Sequence, residues 1–281
     1  MRRAEAVRAE WDGAVDGGRR FSVAGSWGTA SGVVASAPVR QGFRLGRRND
    51  QAPGTVALVA PAFPGLEDAA PAVGLDDALA AGLLRAGCGV ARVLALDHAQ
   101  PGDVEAWIDA IVDVSVAATG SARPALAGSW MAGPACALAA SRREGLAFVV
   151  LASAPSAEVM ARRTPENEDD PAWTESRTLR LADALAAMAP LEAVCMDERP
   201  VLVVGGAADG VLPVTHLEAW RAALEANQRP VQAIEVAFHD AFMRPVGPGD
   251  GDDGTGLGLM AHTVEQWARR ALSRAPVRRA T

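Results

Sequence analysis

An α/β fold with a mostly parallel sheet and helices on both faces is predicted by three features of the sequence. From residue 55 onwards, apolar runs of strand length alternate with stretches of helical spacing. The runs, such as Thr55-Val-Ala-Leu-Val-Ala60 and Pro200-Val-Leu-Val-Val-Gly205, are apolar at successive positions, as in strands covered on both sides. Between them, Pro124-Ala-Leu-Ala-Gly128-Ser129-Trp130-Met131-Ala132-Gly133 compresses a buried strand, a small-residue turn and the start of an Ala-rich helix.

Taken in order, residues 1–19 are polar and read as a short helix or an irregular lead-in. Phe21–Gly25 and Gly32–Ser36, separated by Ser26-Trp27-Gly28, read as an antiparallel hairpin. Arg40–Gly54 is charged and Gly-containing, hence a loop. Strand Thr55–Ala60 follows, broken by Pro61-Ala62-Phe63-Pro64-Gly65. Leu75–Ala86 has helical spacing and stops at Gly87. Cys88–Leu96 is a strand, and Val104–Ala118 a helix with Trp107, Ile108 and Ile111 on one face. Strand Pro124–Gly128, helix Gly133–Arg142 and strand Ala147–Ala152 continue the alternation, joined by right-handed crossovers.

The alternation pauses at Ser153–Asp197, which has a helical stretch at Leu179–Met188, an acidic run at Glu166–Asp170 and no strand pattern. It reads as a small helical cap inserted in the sheet order, the acidic run being a solvated loop. Strand Pro200–Gly205, helix Val214–Asn227, strand Val231–Val236 and helix Met260–Ser273 close the chain. The Gly/Asp run Gly247–Gly256 lacks the ligand spacing of a calcium loop and reads as a flexible connection. Residues 1–281 are thus expected to form one domain.

Composition narrows the function classes. Hydrophobic residues make up 49% of the chain, enough for a large core, and abundant Ala and Gly favour close helix-on-sheet packing. The net charge of −7 disfavours a nucleic-acid partner, which needs a basic face. No G-x-G-x-x-G follows the first parallel strand and no P-loop is present, against a nucleotide-binding domain. Cys88, Cys136 and Cys195 are far apart in apolar contexts without metal-ligand spacing, so buried reduced thiols and no metal or cofactor are expected. The N-terminus lacks the apolar core of a leader peptide. No run approaches the ~20 apolar residues that span a bilayer. A cytoplasmic, soluble chain is the expectation, and a homodimer is compatible with it.

Open α/β sheets place their sites beyond the carboxyl ends of the strands, and four strand ends here carry informative residues. The bend after Gly128 has the layout G-x-Nu-x-G, in which a sharp turn lifts one side chain over the sheet. Two registers are open. In one, Gly128 and Ala132 are the small flanks and Trp130 is at the tip. In the other, Ser129 is at the tip, flanked by Ala127 and the bulkier Met131. The N–H of the residue after the tip, Trp130 or Met131, is placed to bind an oxyanion. Ala62 or Phe63, in the Pro61–Gly65 loop, would supply a second N–H. Asp209, in Gly206-Ala-Ala-Asp209-Gly-Val-Leu-Pro213, lies where it can orient a histidine. His239, in Phe238-His239-Asp240-Ala241-Phe242, is alone among the four histidines in falling where a base meets both the bend and Asp209.

The order bend, Asp, His on this strand pattern resembles the α/β-hydrolase superfamily over nearly the whole chain. Gly206–Pro213 is similar to that family's G-x-x-D-x-x-x-P, and Pro61–Gly65 to its H-G-F-P-G oxyanion loop, with Pro61 and Ala62 standing where His and Gly are usual. The resemblance implies an α/β-hydrolase fold with Asp209 as triad acid and His239 as base. With Ser129 as nucleophile, it implies a hydrolase acting on a small acyl substrate, a carboxylic ester or thioester. With Trp130 at the tip, the chain is similar to hydrolase-like proteins encoded with exosortase systems, which also carry a non-nucleophile there. It would then be a binding or assembly module for an apolar ligand or a partner protein.

Overall fold

The computed structural model describes residues 9–15, 18–36, 54–63, 70–98, 103–118, 123–156, 176–194, 199–206, 215–229, 231–246 and 255–274. Its centre is a nine-stranded sheet. Strands β1 (Ala9–Val15), β2 (Gly18–Gly25) and β3 (Gly28–Ser36) run antiparallel to one another, and β3 pairs antiparallel with β5 (Gly89–His98). From β5 on, all pairing is parallel, through β4 (Thr55–Val59), β6 (Arg123–Ser129), β7 (Val149–Ala152), β8 (Val201–Gly206) and β9 (Val231–Val236). The strand order is β1-β2-β3-β5-β4-β6-β7-β8-β9.

Residues 9–15 correct the sequence reading, which placed a helix or irregular segment there. They add an edge strand to the hairpin because Trp11 finds the Phe21 ring 6.2 Å away and the Arg19 guanidinium lies 4.7 Å over its own ring. Such cross-strand aromatic contacts are invisible to local patterning. The β2–β3 turn is anchored by Trp27, which is 2% exposed and donates from Nε1 to Asp113 Oδ2 at 2.7 Å.

Helix α1 (Ala70–Arg85) packs on α7 (Thr255–Arg274), while α2 (Val104–Ala117), α3 (Ala132–Ser141), α5 (Pro190–Val194) and α6 (Thr215–Ala226) form a second contiguous layer. Two successive residues of β6 show that these layers cover opposite faces. A Cβ on Gly128 would run into α3, whereas Ser129 reaches α1; neighbouring strand residues point to opposite sides. The four central strands β4, β6, β7 and β8 are buried almost throughout, and α3 is buried from Ala132 to Ala140. Its alanines let the helix lie close to the sheet.

α7 begins at Thr255, five residues before the sequence-expected start at Met260. Gly256, read as a loop residue, and Gly258 lie inside the helix. Gly256 has a packing reason to be there, since a Cβ would strike the His239 ring and the Met243 carbonyl. Within the expected cap, α4 (Ser176–Ala187) and α5 are described. Leu181, Ala182, Leu185 and Val194 are buried, and α5 lies against α3 and α6. The acidic run 166–170, the 40–53 loop and most of the Gly/Asp run lie outside the described residues. No described helix is long and apolar enough to cross a membrane.

Candidate functional site

The bend after β6 is built by two neighbouring strands and one helix. Ser129 is still a strand residue, paired with Ala152 of β7. Trp130 follows with φ 48°, left-handed backbone that costs a non-glycine residue about 1–2 kcal/mol. The turn is held by Trp130 N–H donating to Ala152 O at 2.9 Å and Gly133 N–H donating to Trp130 O at 3.0 Å. The small flanks are sterically required. A Cβ on Gly128 would meet the Ala132 carbonyl and Cys136 Sγ, and one on Gly133 would meet Ala154 Cβ. The left-handed residue, with Gly128 and Ala132 two positions to either side, is therefore Trp130.

The two side chains at the bend go to different places. The Trp130 indole is 6% exposed and packs on Phe242 with ring centroids 5.0 Å apart. Ser129 is 3% exposed and its hydroxyl donates to Asp76 Oδ1 on α1 at 2.6 Å. Were Ser129 the tip, the oxyanion donor would be the Trp130 N–H, which already binds Ala152 O. Met131, the residue after Trp130, is buried at the start of α3.

His239 sits beyond the end of β9, 8% exposed, with Nδ1 2.8 Å from the Ala237 carbonyl. Its loop is organised by Asp240, whose Oδ1 accepts from the N–H groups of Phe242 and Arg244, both at 2.9 Å, and whose Oδ2 accepts from Arg244 Nε at 2.5 Å. The same loop carries Phe242, so Asp240 sets both the histidine and the ring against Trp130. β8 meets this loop closely: a Cβ on Gly206 would strike the His239 and Asp240 carbonyls. The segment carrying Asp209 leaves β8 at Gly206, but Asp209 itself lies outside the described residues.

Of the two candidate oxyanion donors after β4, Ala62 is half-buried. Phe63 is buried edge-on to Trp107, with centroids 5.2 Å apart. Cys88 and Cys136 are free and buried; burial pushes the Cys88 thiol up to about 12 and raises that of Cys136 as well. Cys195 lies outside the described residues. Among the described residues, no group of three or more His, Cys, Asp or Glu could hold a metal.

Two site residues were missed in the sequence. Asp76 is half-buried, and loss of hydration pushes its carboxyl up to about 6, against the opposing pull of the Ser129 hydrogen bond and of Arg92. The available signal was an acid beside Leu75 and Leu79 on the inward side of a helix. Ser153, at the end of β7, is also left-handed (φ 48°) and fully buried, with a hydroxyl that has no hydrogen-bond partner. Nothing in the local sequence signals it.

No protein-family model matches the sequence, and no curated protein matches it. Solved structures do. The chain is similar to the esterase Est1E from Butyrivibrio proteoclasticus, with TM-score 0.61, 15% identity, and 95% of this chain and 100% of that one covered. It is also similar to a hyperthermophilic esterase from Pyrobaculum calidifontis (TM-score 0.56, 18% identity, 90% and 82% covered). A hormone-sensitive lipase from a metagenome library is a third match (TM-score 0.56, 12% identity, 98% and 88% covered). The fold is that of the α/β-hydrolases. The α/β-hydrolase scaffold accounts for the antiparallel strands at one side of the sheet, the parallel remainder, and a bend after β6 that faces the β9 loop.

Proposed function

We propose that this chain is an α/β-hydrolase-fold protein that does not perform serine acyl transfer and serves as a binding or assembly module. The observation that carries this reading is the occupancy of the bend. The left-handed position holds an indole, buried against Phe242 where the carbonyl of an acyl substrate would need room. The neighbouring hydroxyl is held underneath by Asp76. Acyl transfer needs a nucleophile within hydrogen-bond reach of its base and beside oxyanion donors. Ser129 donates instead to a carboxylate on α1, and among the described residues no hydrogen bond joins it to His239. The apolar character of the bend, with Trp130 and Met131 beside Phe242, favours an apolar ligand or partner segment. A fluorophosphonate probe tests it: the protein is expected to stay unlabelled, and labelling at Ser129 overturns the reading.

A second reading is favoured by the Ser129–Asp76 pair and by the esterase neighbours. A serine hydroxyl hydrogen-bonded to a carboxylate that burial raises to about 6 has a proton acceptor at hand. On this reading Ser129, His239 and Asp209 would hydrolyse a carboxylic ester or thioester through an acyl-enzyme, with Ala62 or Phe63 donating to the oxyanion. Turnover of a short p-nitrophenyl ester that is lost in Ser129→Ala would establish it; absence of turnover, or turnover unchanged in the variant, removes it.

A further inference from the structure

β5 outruns its neighbour. It extends from Gly89 to His98, whereas β4 ends at Val59, opposite Arg92. Beyond that point β5 keeps β3 on one side, but on the other the space where β4 would continue is an open cavity of about 430 Å3. This is within the range of small-molecule sites. Its walls are Val59–Ala62, the β5 residues Arg92–Asp97, and Asp76 of α1. It adjoins the bend through Asp76, which holds the Ser129 hydroxyl, and shares Ala62 with the loop after β4.

We propose that this cavity binds a small organic cation, a primary ammonium on a short alkyl chain, with the ammonium on the Asp76 carboxylate and the chain along Val59, Val93 and Leu94. Three observations converge. Among the described residues, Ser129 is the only hydrogen-bond donor to the Asp76 carboxylate, which leaves acceptor capacity facing the cavity. The cation in the wall, Arg92, whose charge also acts on Asp76, is paired with Asp77 at 2.7 Å, while Asp97 adds a second carboxylate to the lining. The site therefore favours positive charge. Leu94 is 69% exposed on the cavity wall, an apolar surface that an alkyl chain would cover. A charge-assisted N–H···O bond in a half-buried site is among the stronger polar contacts a small ligand can make. The cavity shares Asp76 and Ala62 with the hydrolase reading, but the probe comparison below reads ammonium binding directly, so its outcome and the fluorophosphonate result are distinguishable.

The test is an amide chemical-shift titration of the full chain with n-butylammonium at pH 7.5, with 1-butanol and butyrate as matched probes. Saturable shifts at Asp76 and Arg92–Asp97 are expected with n-butylammonium, at least about tenfold tighter than with 1-butanol and absent with butyrate. Asp76→Asn, which keeps an acceptor for Ser129, is expected to weaken n-butylammonium binding about tenfold or more, and Leu94→Ala several-fold. Equal binding of 1-butanol, preferential binding of butyrate, no saturable shift, or unchanged affinity in Asp76→Asn each overturn the proposal. Should Asp76→Asn fail to fold, the probe comparison on the unmodified chain and the exposed Asp97→Asn decide it, the latter by an expected loss of affinity.

Discussion

The bend after β6 and the loop after β9 face each other, and they have been treated differently. The β9 loop keeps a histidine in place, supported by a carboxylate that accepts three hydrogen bonds from its own loop. The β6 bend keeps its backbone geometry, with small flanks and a left-handed residue, but presents an indole. Backbone shape and chemistry are thus separable. The turn is specified by steric demands from α3 and β7, which act on Gly128, Ala132 and Gly133 and are indifferent to the side chain at the tip. Phe242 links the two regions, since the loop that carries His239 supplies the ring that covers Trp130.

Breaking the aromatic link should have the largest effect. Trp130→Ala is expected to destabilise the fold by about 3 kcal/mol or more in urea unfolding, from lost packing, because alanine keeps the Cβ and with it the cost of the left-handed backbone. In a double-mutant cycle with Phe242→Ala, a coupling of about 0.5–1.5 kcal/mol is expected, and additivity would show that the regions are independent. Next is Asp240→Ala, which leaves two N–H groups without their acceptor and should cost about 2–3 kcal/mol, with loss of protection from hydrogen exchange in residues 238–246. Gly206→Ala is expected to cost about 1–3 kcal/mol and to shift the His239 resonances while leaving the β6 bend unmoved. Shifts at both regions would show that they move as one unit.

The smallest effect is the most diagnostic of pH. Burial raises the Asp76 carboxyl to about 6, in the company of Asp77, Arg92 and the Ser129 hydroxyl. The unfolded chain therefore releases this proton first, and the native state binds more protons between about pH 4 and pH 6. Stability contributed by this group is full below about pH 4, falls as pH rises to about 6 and is level above. Asp76→Asn should remove that fall. It is expected to be more stable than the unmodified chain at pH 7 by about 1–2 kcal/mol, allowing for partial exposure, and indistinguishable near pH 4. An equal difference at both pH values would mean that Asp76 acts through packing alone.

Much of the scaffold was legible because its signals are local. Apolar runs such as Val201–Val204 and the spacing of Leu75, Leu79 and Leu83 locate strands and helices without reference to any other part of the chain. The failures were also physical. The β1 strand depends on Trp11 meeting Phe21 across the sheet, and the start of α7 on a histidine ring that only glycine can accommodate. Asp76 was passed over because a carboxylate on a helix is ordinarily solvated. Its partner Ser129 lies 53 residues further along the chain.

By itself, then, the sequence determined the alternation of strands and helices, the tight bend between Gly128 and Gly133 and the place of His239 after the last strand. Periodicity and small-residue spacing are properties of neighbouring residues. Only the tertiary structure decided that Trp130, and not Ser129, takes the left-handed position. That choice rests on a carbonyl of β7 and a carboxylate of α1, groups that reach the bend through folding alone.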